Sequence, residues 1–104
     1  MAAFFLQKSG YEIVCRNYRS GKAEIDLIVR KNNQLVFVEV KTRSGVAFGY
    51  PESFVSPAKV VLLKRAAEDY LFSVDWKGPI RFDIVSVVLN RESAEVRHFE
   101  DAIP

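Results

Sequence analysis

The sequence predicts an α/β or α+β domain with helices packed on a sheet, in the element order α-β-β-β-α-β-β. Three observations carry this. Two apolar-rich runs flank Asn32-Asn33 between residues 23 and 42, as in a β-hairpin. Residues 57–72 place apolar side chains at helical spacing behind a Ser56-Pro57 start signal. Residues 80–99 then return to strand-like runs. A chain of 104 residues has length for one hydrophobic core, hence a single domain over 1–104.

Each element has its own justification. Residues 2–8 read as the end of a helix, with Gly10 as its stop. Residues 11–18 alternate moderately, as a strand does, and 20–22 form a Ser-Gly-Lys turn. Residues 23–30 and 34–42 are the hairpin arms. Residues 44–57 hold Gly45, Gly49, Pro51 and Pro57 and read as a loop, with Phe48, Tyr50 and Phe54 packing it down or, alternatively, stacking on an unpaired base. Ser56 can cap the second helix, and Pro57 suits its first position. Val60, Leu63, Ala67, Tyr70 and Leu71 supply its apolar stripe. Trp76 packs the connection at Gly78-Pro79. Residues 80–89 are a strand interrupted by Asp83, read as structural, and 94–99 an edge strand.

Composition excludes several classes of function. Hydrophobic residues make up 49% and charged residues 27%, the balance of an ordinary globular domain. No apolar run is long enough to span a bilayer, so no membrane partner is expected. Residues 1–6 lack the basic start and cleavage site of a signal peptide, and a single cysteine fits a reducing cytoplasm. Cys15 and His98 are each the only residue of their type. That excludes an internal disulfide and any site built on several Cys or His. The net charge of +2 is unevenly spread. Residues 1–65 hold 11 Lys/Arg against 5 Asp/Glu, and residues 66–104 hold 4 against 8. A polyanion such as nucleic acid favours the first part; a plain solvated surface is the alternative.

The hairpin carries the chemistry. A two-residue turn pairs Lys31 with Gln34 and predicts that opposed residues have numbers summing to 65. One face then holds Ile25–Val40, Leu27–Val38 and Val29–Val36, all apolar. The other holds Ile28–Phe37, Asp26–Glu39 and Glu24–Lys41. Carboxylates are rare inside strands. Two directly opposed, with Cβ atoms about 4.5–5.5 Å apart, repel, so they raise a pKa or bind a cation. Mg²⁺ takes carboxylate oxygens, and the Val40 carbonyl can add another. Lys41 shares this face and can orient water or stabilise charge on a phosphate. Glu24 is placed to pair with Lys41. The repulsion predicts that neutralising Glu39 stabilises the metal-free protein. A salt-bridged hairpin end without chemistry is the competing reading.

Asp26, twelve residues, then Glu39-Val40-Lys41 matches the D–x(n)–E-x-K core of the PD-(D/E)XK nuclease superfamily. The runs "GYEIVCRNYR", "EIDLIV", "LVFVEVKTR", "FGYPESFVSPAK", "RFDIV" and "HFEDAI" are more specific. Together they resemble the YraN-type family of uncharacterised bacterial proteins, similar in fold to archaeal Holliday-junction resolvases. The resemblance covers nearly the whole chain. It implies an α/β fold with a restriction-endonuclease-like core, a mixed five-stranded sheet flanked by helices. It also implies a Mg²⁺- or Mn²⁺-dependent phosphodiesterase site acting on DNA. By motif position Asp26 and Glu39 would be metal ligands and Lys41 the catalytic lysine, with Glu24 matching the family's G-E-I-D-L stretch. Ala23 stands where that stretch has Gly. The family's first helix carries a Gly-Glu pair upstream of the position of Ala2, so a domain lacking the start of that helix is expected. By analogy with resolvases, a homodimer is expected too.

Arg16, Arg19, Lys22, Arg43, Lys59, Lys64 and Arg65 are the candidate phosphate contacts. The leading expectation is a metal-dependent endonuclease acting on DNA, branched DNA included. The alternative is a non-catalytic nucleic-acid-binding or assembly module on the same fold.

Overall fold

The computed structural model describes residues 1–44 and 55–104. Its order is α1 (Ala2–Lys8), β1 (Glu12–Ser20), β2 (Ala23–Lys31), β3 (Gln34–Ser44), α2 (Pro57–Ser73), β4 (Ile80–Leu89) and β5 (Ala94–Phe99). The expected element order and α/β class are therefore found. Phe48, Tyr50 and Phe54, expected to pack the loop, lie outside the described residues.

The five strands form one sheet in the order β1-β2-β3-β4-β5. Only β3 and β4 are parallel; the other neighbours are antiparallel. A parallel pair needs a crossover, which the segment containing α2 supplies. Helices cover both faces. Strand alternation sends Leu27, Val29, Val36, Val38, Val85 and Val87 to one face, where Ala2, Ala3 and Leu6 of α1 meet them. Ile28, Leu35, Phe37 and Ile84 point the other way, onto Leu63, Ala66 and Ala67 of α2. Two covered faces explain why β3 reads as a nearly continuous apolar run.

Local signals set the helix ends. Gly10 takes φ +97, and the amides of Gly10 and Tyr11 return to the carbonyls of Gln7 and Leu6, closing α1. Ser56 Oγ accepts the Lys59 amide at 3.2 Å, capping α2. Ser56→Ala is expected to cost about 1 kcal/mol in a urea titration. A loss below a few tenths of that would remove the cap from the account.

The hairpin turn keeps the anticipated register, from Lys31–Gln34 to Leu27–Val38. Asn32 supplies a positive φ of 57. Beyond Leu27–Val38 the expected pairing fails. The β2–β3 ladder ends there, while β1–β2 continues to Ser20–Ala23 and β3–β4 to Ser44–Leu89. The two arms part like a Y, each following its outer neighbour. Asp26–Glu39, Ile25–Val40 and Glu24–Lys41 are consequently not ladder pairs. Ile25 packs on the α2 side, although Leu27, two residues on, faces α1. Regular alternation would put both on one face, so the strand turns over at Asp26. Opposite Asp26, between the pairs Arg16–Leu27 and Tyr18–Ile25, Asn17 takes φ +51, a conformation foreign to regular strands.

Candidate active site at the parting of two strands

Asp26 sits at the fork. Where the ladder has opened, its carboxylate takes the place of a backbone acceptor: Oδ2 receives the Val40 amide at 2.7 Å. Asp26 thus lines clefts on both sides of the sheet. The cleft toward α1, about 490 Å³, is lined by Arg16, Asn17, Asp26, Val40 and Thr42 among others. The cleft toward α2, about 390 Å³, is lined by Lys22, Glu24, Asp26, Glu39 and Lys59 among others.

Glu39 follows Phe37 onto the α2 side, and its side chain is only 3% exposed. A buried carboxylate requires partners. Lys41 Nζ lies 3.4 Å from Glu39 Oε2, and Lys59 Nζ meets the same oxygen. Asp26 lines the same cleft as Glu39, and the charge of Glu39 acts on it. Two carboxylates and two ammonium groups therefore form one cluster, three members from the sheet and one from α2.

The expected rise in a carboxylate pKa falls on Asp26. Burial pushes it from 3.8 to about 6, the Val40 amide opposes this, and the hydrogen bond and charge of Glu39 add to it. Lys59 is drawn down by burial, but its contact with Glu39 prevails and holds it above the ordinary lysine value. The raised acid of the pair is thus Asp26, while Glu39 has two ammonium partners. An acid raised in the folded state binds its proton more tightly there. Its stabilising contribution is full below 3.8 and is lost as pH climbs through about 6. Asp26→Asn can still accept from the Val40 amide. It is expected to stabilise the metal-free protein by about 1–2 kcal/mol at pH 8, after discounting for partial solvation, and by almost nothing at pH 4. Melting curves at the two pH values check this; an equal shift at both would refute it.

The remaining predicted residues fall in different places. Glu24 is at the mouth of the α2-side cleft but pairs with Arg19 at 3.1 Å across β1–β2, not with Lys41. Lys22 lines that mouth too, and the exposed Arg16 lines the other cleft. Arg43, exposed, donates to the Thr42 carbonyl at 3.1 Å. Lys64 and Arg65 are exposed further along α2, with Lys64 Nζ 5.6 Å from the Phe82 ring centre. Lys59, expected as a phosphate contact, is bonded into the carboxylate cluster instead. Its sequence signal was its position in the first turn of a helix opened by Ser56-Pro57.

A second buried carboxylate, Asp83, is structural. It is fully buried and accepts from Arg81 Nε and a terminal guanidinium nitrogen, each at 2.8 Å, and from the Asp101 amide at 2.9 Å. His98 Nε2 lies 2.6 Å away. The strand runs through Asp83 unbroken, because these partners satisfy its carboxylate within the α1-side layer.

Fold and site together define a class: a two-faced α/β domain whose parted central strands present a lysine-flanked carboxylate pair. The chain belongs to the family described as "Uncharacterised protein family UPF0102", the YraN-type group, which it matches over residues 1–87. It is 52% identical over 98 residues to a UPF0102 protein of Flavobacterium psychrophilum, covering 94% of this chain and 82% of that one. It is 45% identical over 86 residues to a UPF0102 protein of Cytophaga hutchinsonii, covering 83% and 76%. One from Solibacter usitatus is 50% identical over 93 residues, covering 86% and 70%. No helix among the described residues is long and apolar enough to cross a membrane.

Proposed function

We propose that this protein is a divalent-metal-dependent endonuclease hydrolysing phosphodiester bonds in DNA, branched DNA included. One observation carries the reading: at the fork of β2 and β3, a half-buried and a buried carboxylate line one cleft, and ammonium groups from β3 and α2 meet one of them. The donors are all oxygens and doubly negative, which fits a hard cation such as Mg²⁺ or Mn²⁺. Asp26 and Glu39 would hold it, with the Val40 carbonyl as a further oxygen. A cation bound there supplies Lewis-acid polarisation of the phosphoryl group and neutralises charge. Lys41, fixed on the strand two residues from Glu39, hydrogen-bonds water or a phosphoryl oxygen and stabilises negative charge developing in the in-line attack. Lys22 and Arg16 at the two cleft mouths contact backbone phosphates without reading sequence. Purified protein is expected to cut at least one of linear, nicked or four-way DNA in Mg²⁺ or Mn²⁺, and nothing in EDTA. Lys41→Ala should slow cutting about 10²-fold or more while remaining folded. No cutting of any substrate in either metal would end the catalytic reading.

A second reading keeps the fold and drops the chemistry: a nucleic-acid-binding or assembly module. Its support is that no group of three or more His, Cys, Asp or Glu converges among the described residues. Lys41 and Lys59 also already neutralise the pair. This reading expects salt-sensitive DNA binding that survives EDTA.

A further inference from the structure

We propose that Lys59 is the resident counter-ion of the Asp26–Glu39 pair, displaced from it when a divalent cation enters, so that metal binding delivers a free ammonium to the DNA. The inference rests on the metal-site reading above and assigns Lys59 a role beyond it.

Three observations support it. Lys41 and Lys59 both meet Glu39 Oε2, so two like charges share one acceptor oxygen. Charge counting makes that arrangement specific to the metal-free state. Two carboxylates balance two ammonium groups, and a divalent cation then leaves an excess of two positive charges in a confined site. One ammonium group must leave, or an anion must arrive. Exposure decides which one leaves. The Lys41 side chain is 15% exposed, tethered to the same strand as Glu39; that of Lys59 is 41% exposed. Lys59 reaches across from the first turn of α2, on a flexible four-carbon stem, and lines the cleft through which an ion reaches the carboxylates. A phosphodiester entering the same cleft brings the negative charge that the excess requires. Metal and DNA affinity are thereby linked, each raising the other.

The test uses the full chain as wild type, Lys59→Ala and Lys59→Arg, with circular dichroism confirming that each is folded. Mn²⁺ binding without DNA is followed by electron paramagnetic resonance. Removing the competing ammonium is expected to tighten Mn²⁺ about tenfold in Lys59→Ala, whereas Lys59→Arg stays near wild type. Binding of a labelled four-way DNA is then compared in EDTA and in Ca²⁺. Ca²⁺ should strengthen DNA binding by the wild type, and most of that gain should vanish in Lys59→Ala. Unchanged or weaker Mn²⁺ binding in a folded Lys59→Ala protein overturns the counter-ion role and leaves the metal site standing. If neither wild type nor Lys59→Ala binds Mn²⁺, both the inference and the metal-site reading fall.

Discussion

Asp83→Ala is expected to destabilise the fold by about 3–5 kcal/mol, because it strands a largely covered guanidinium, 17% exposed, rather than removing a neutral contact. Arg81 has two bonds to Asp83, and it also donates to Tyr11 Oη at 2.8 Å and to Gln34 Oε1 at 3.2 Å. The network thereby ties β4 to β3 and to Tyr11 in the α1–β1 connection, and His98 adds β5. Without the carboxylate, Arg81 keeps, among the described residues, its neutral partners and the exposed Glu100 at 3.5 Å. A small domain has roughly 5–15 kcal/mol in all, so the variant should lie near the edge of folding. The pH dependence supplies a second check. Burial raises Asp83, but His98, Arg81 and the Asp101 amide outweigh it and hold it below 3.8. An acid depressed in the folded state contributes stability that is present above its unfolded value and lost as pH falls through the folded one. Wild type should therefore lose stability below 3.8 through this group, and Asp83→Asn should flatten that part of the curve. Urea midpoints across the acid range measure both effects. A loss under about 1 kcal/mol for Asp83→Ala would show that the network is not structural.

Glu39→Ala is expected to lower metal-dependent cleavage by about 10³-fold, equivalent to about 4 kcal/mol of transition-state stabilisation. It removes one of the two carboxylates that would hold the ion and the acceptor that positions Lys41. The same variant separates metal binding from catalysis. At Mg²⁺ a hundredfold above its dissociation constant, wild type should gain about 2.7 kcal/mol of stability. Glu39→Ala should gain almost none. A variant that cuts as well as wild type, or that is stabilised equally by Mg²⁺, would exclude Glu39 from the site.

Much of the fold is legible in the residues because its signals are local. Ser56-Pro57 starts α2, Gly10 closes α1, and Asn32 turns the hairpin in the register its apolar pattern demands. The strand bounds 80–89 and 94–99 agree with β4 and β5. The site was legible as a set of residue types: carboxylates inside strands that should exclude them, with a lysine two residues on. Its geometry was not. A period-two argument carries the hairpin register straight through Asp26, but β2 and β3 each have a second neighbour, and beyond Leu27–Val38 those outer pairings win.

The sequence by itself determined which segments become helix and strand, because capping, turn chemistry and apolar period act over a few residues. It also determined that Asp26, Glu39 and Lys41 lie near one another, since a short hairpin leaves them little freedom. Only the tertiary structure decided that Asp26 caps an open fork, that Glu24 turns to Arg19, and that Lys59 completes the cluster. Those outcomes depend on competition among strands and on a helix that brings Lys59, 20 residues further along the chain from Glu39, to the sheet. Burial then did what no spacing rule could foresee: it put the strained charge on Asp26 and the paired charge on Glu39.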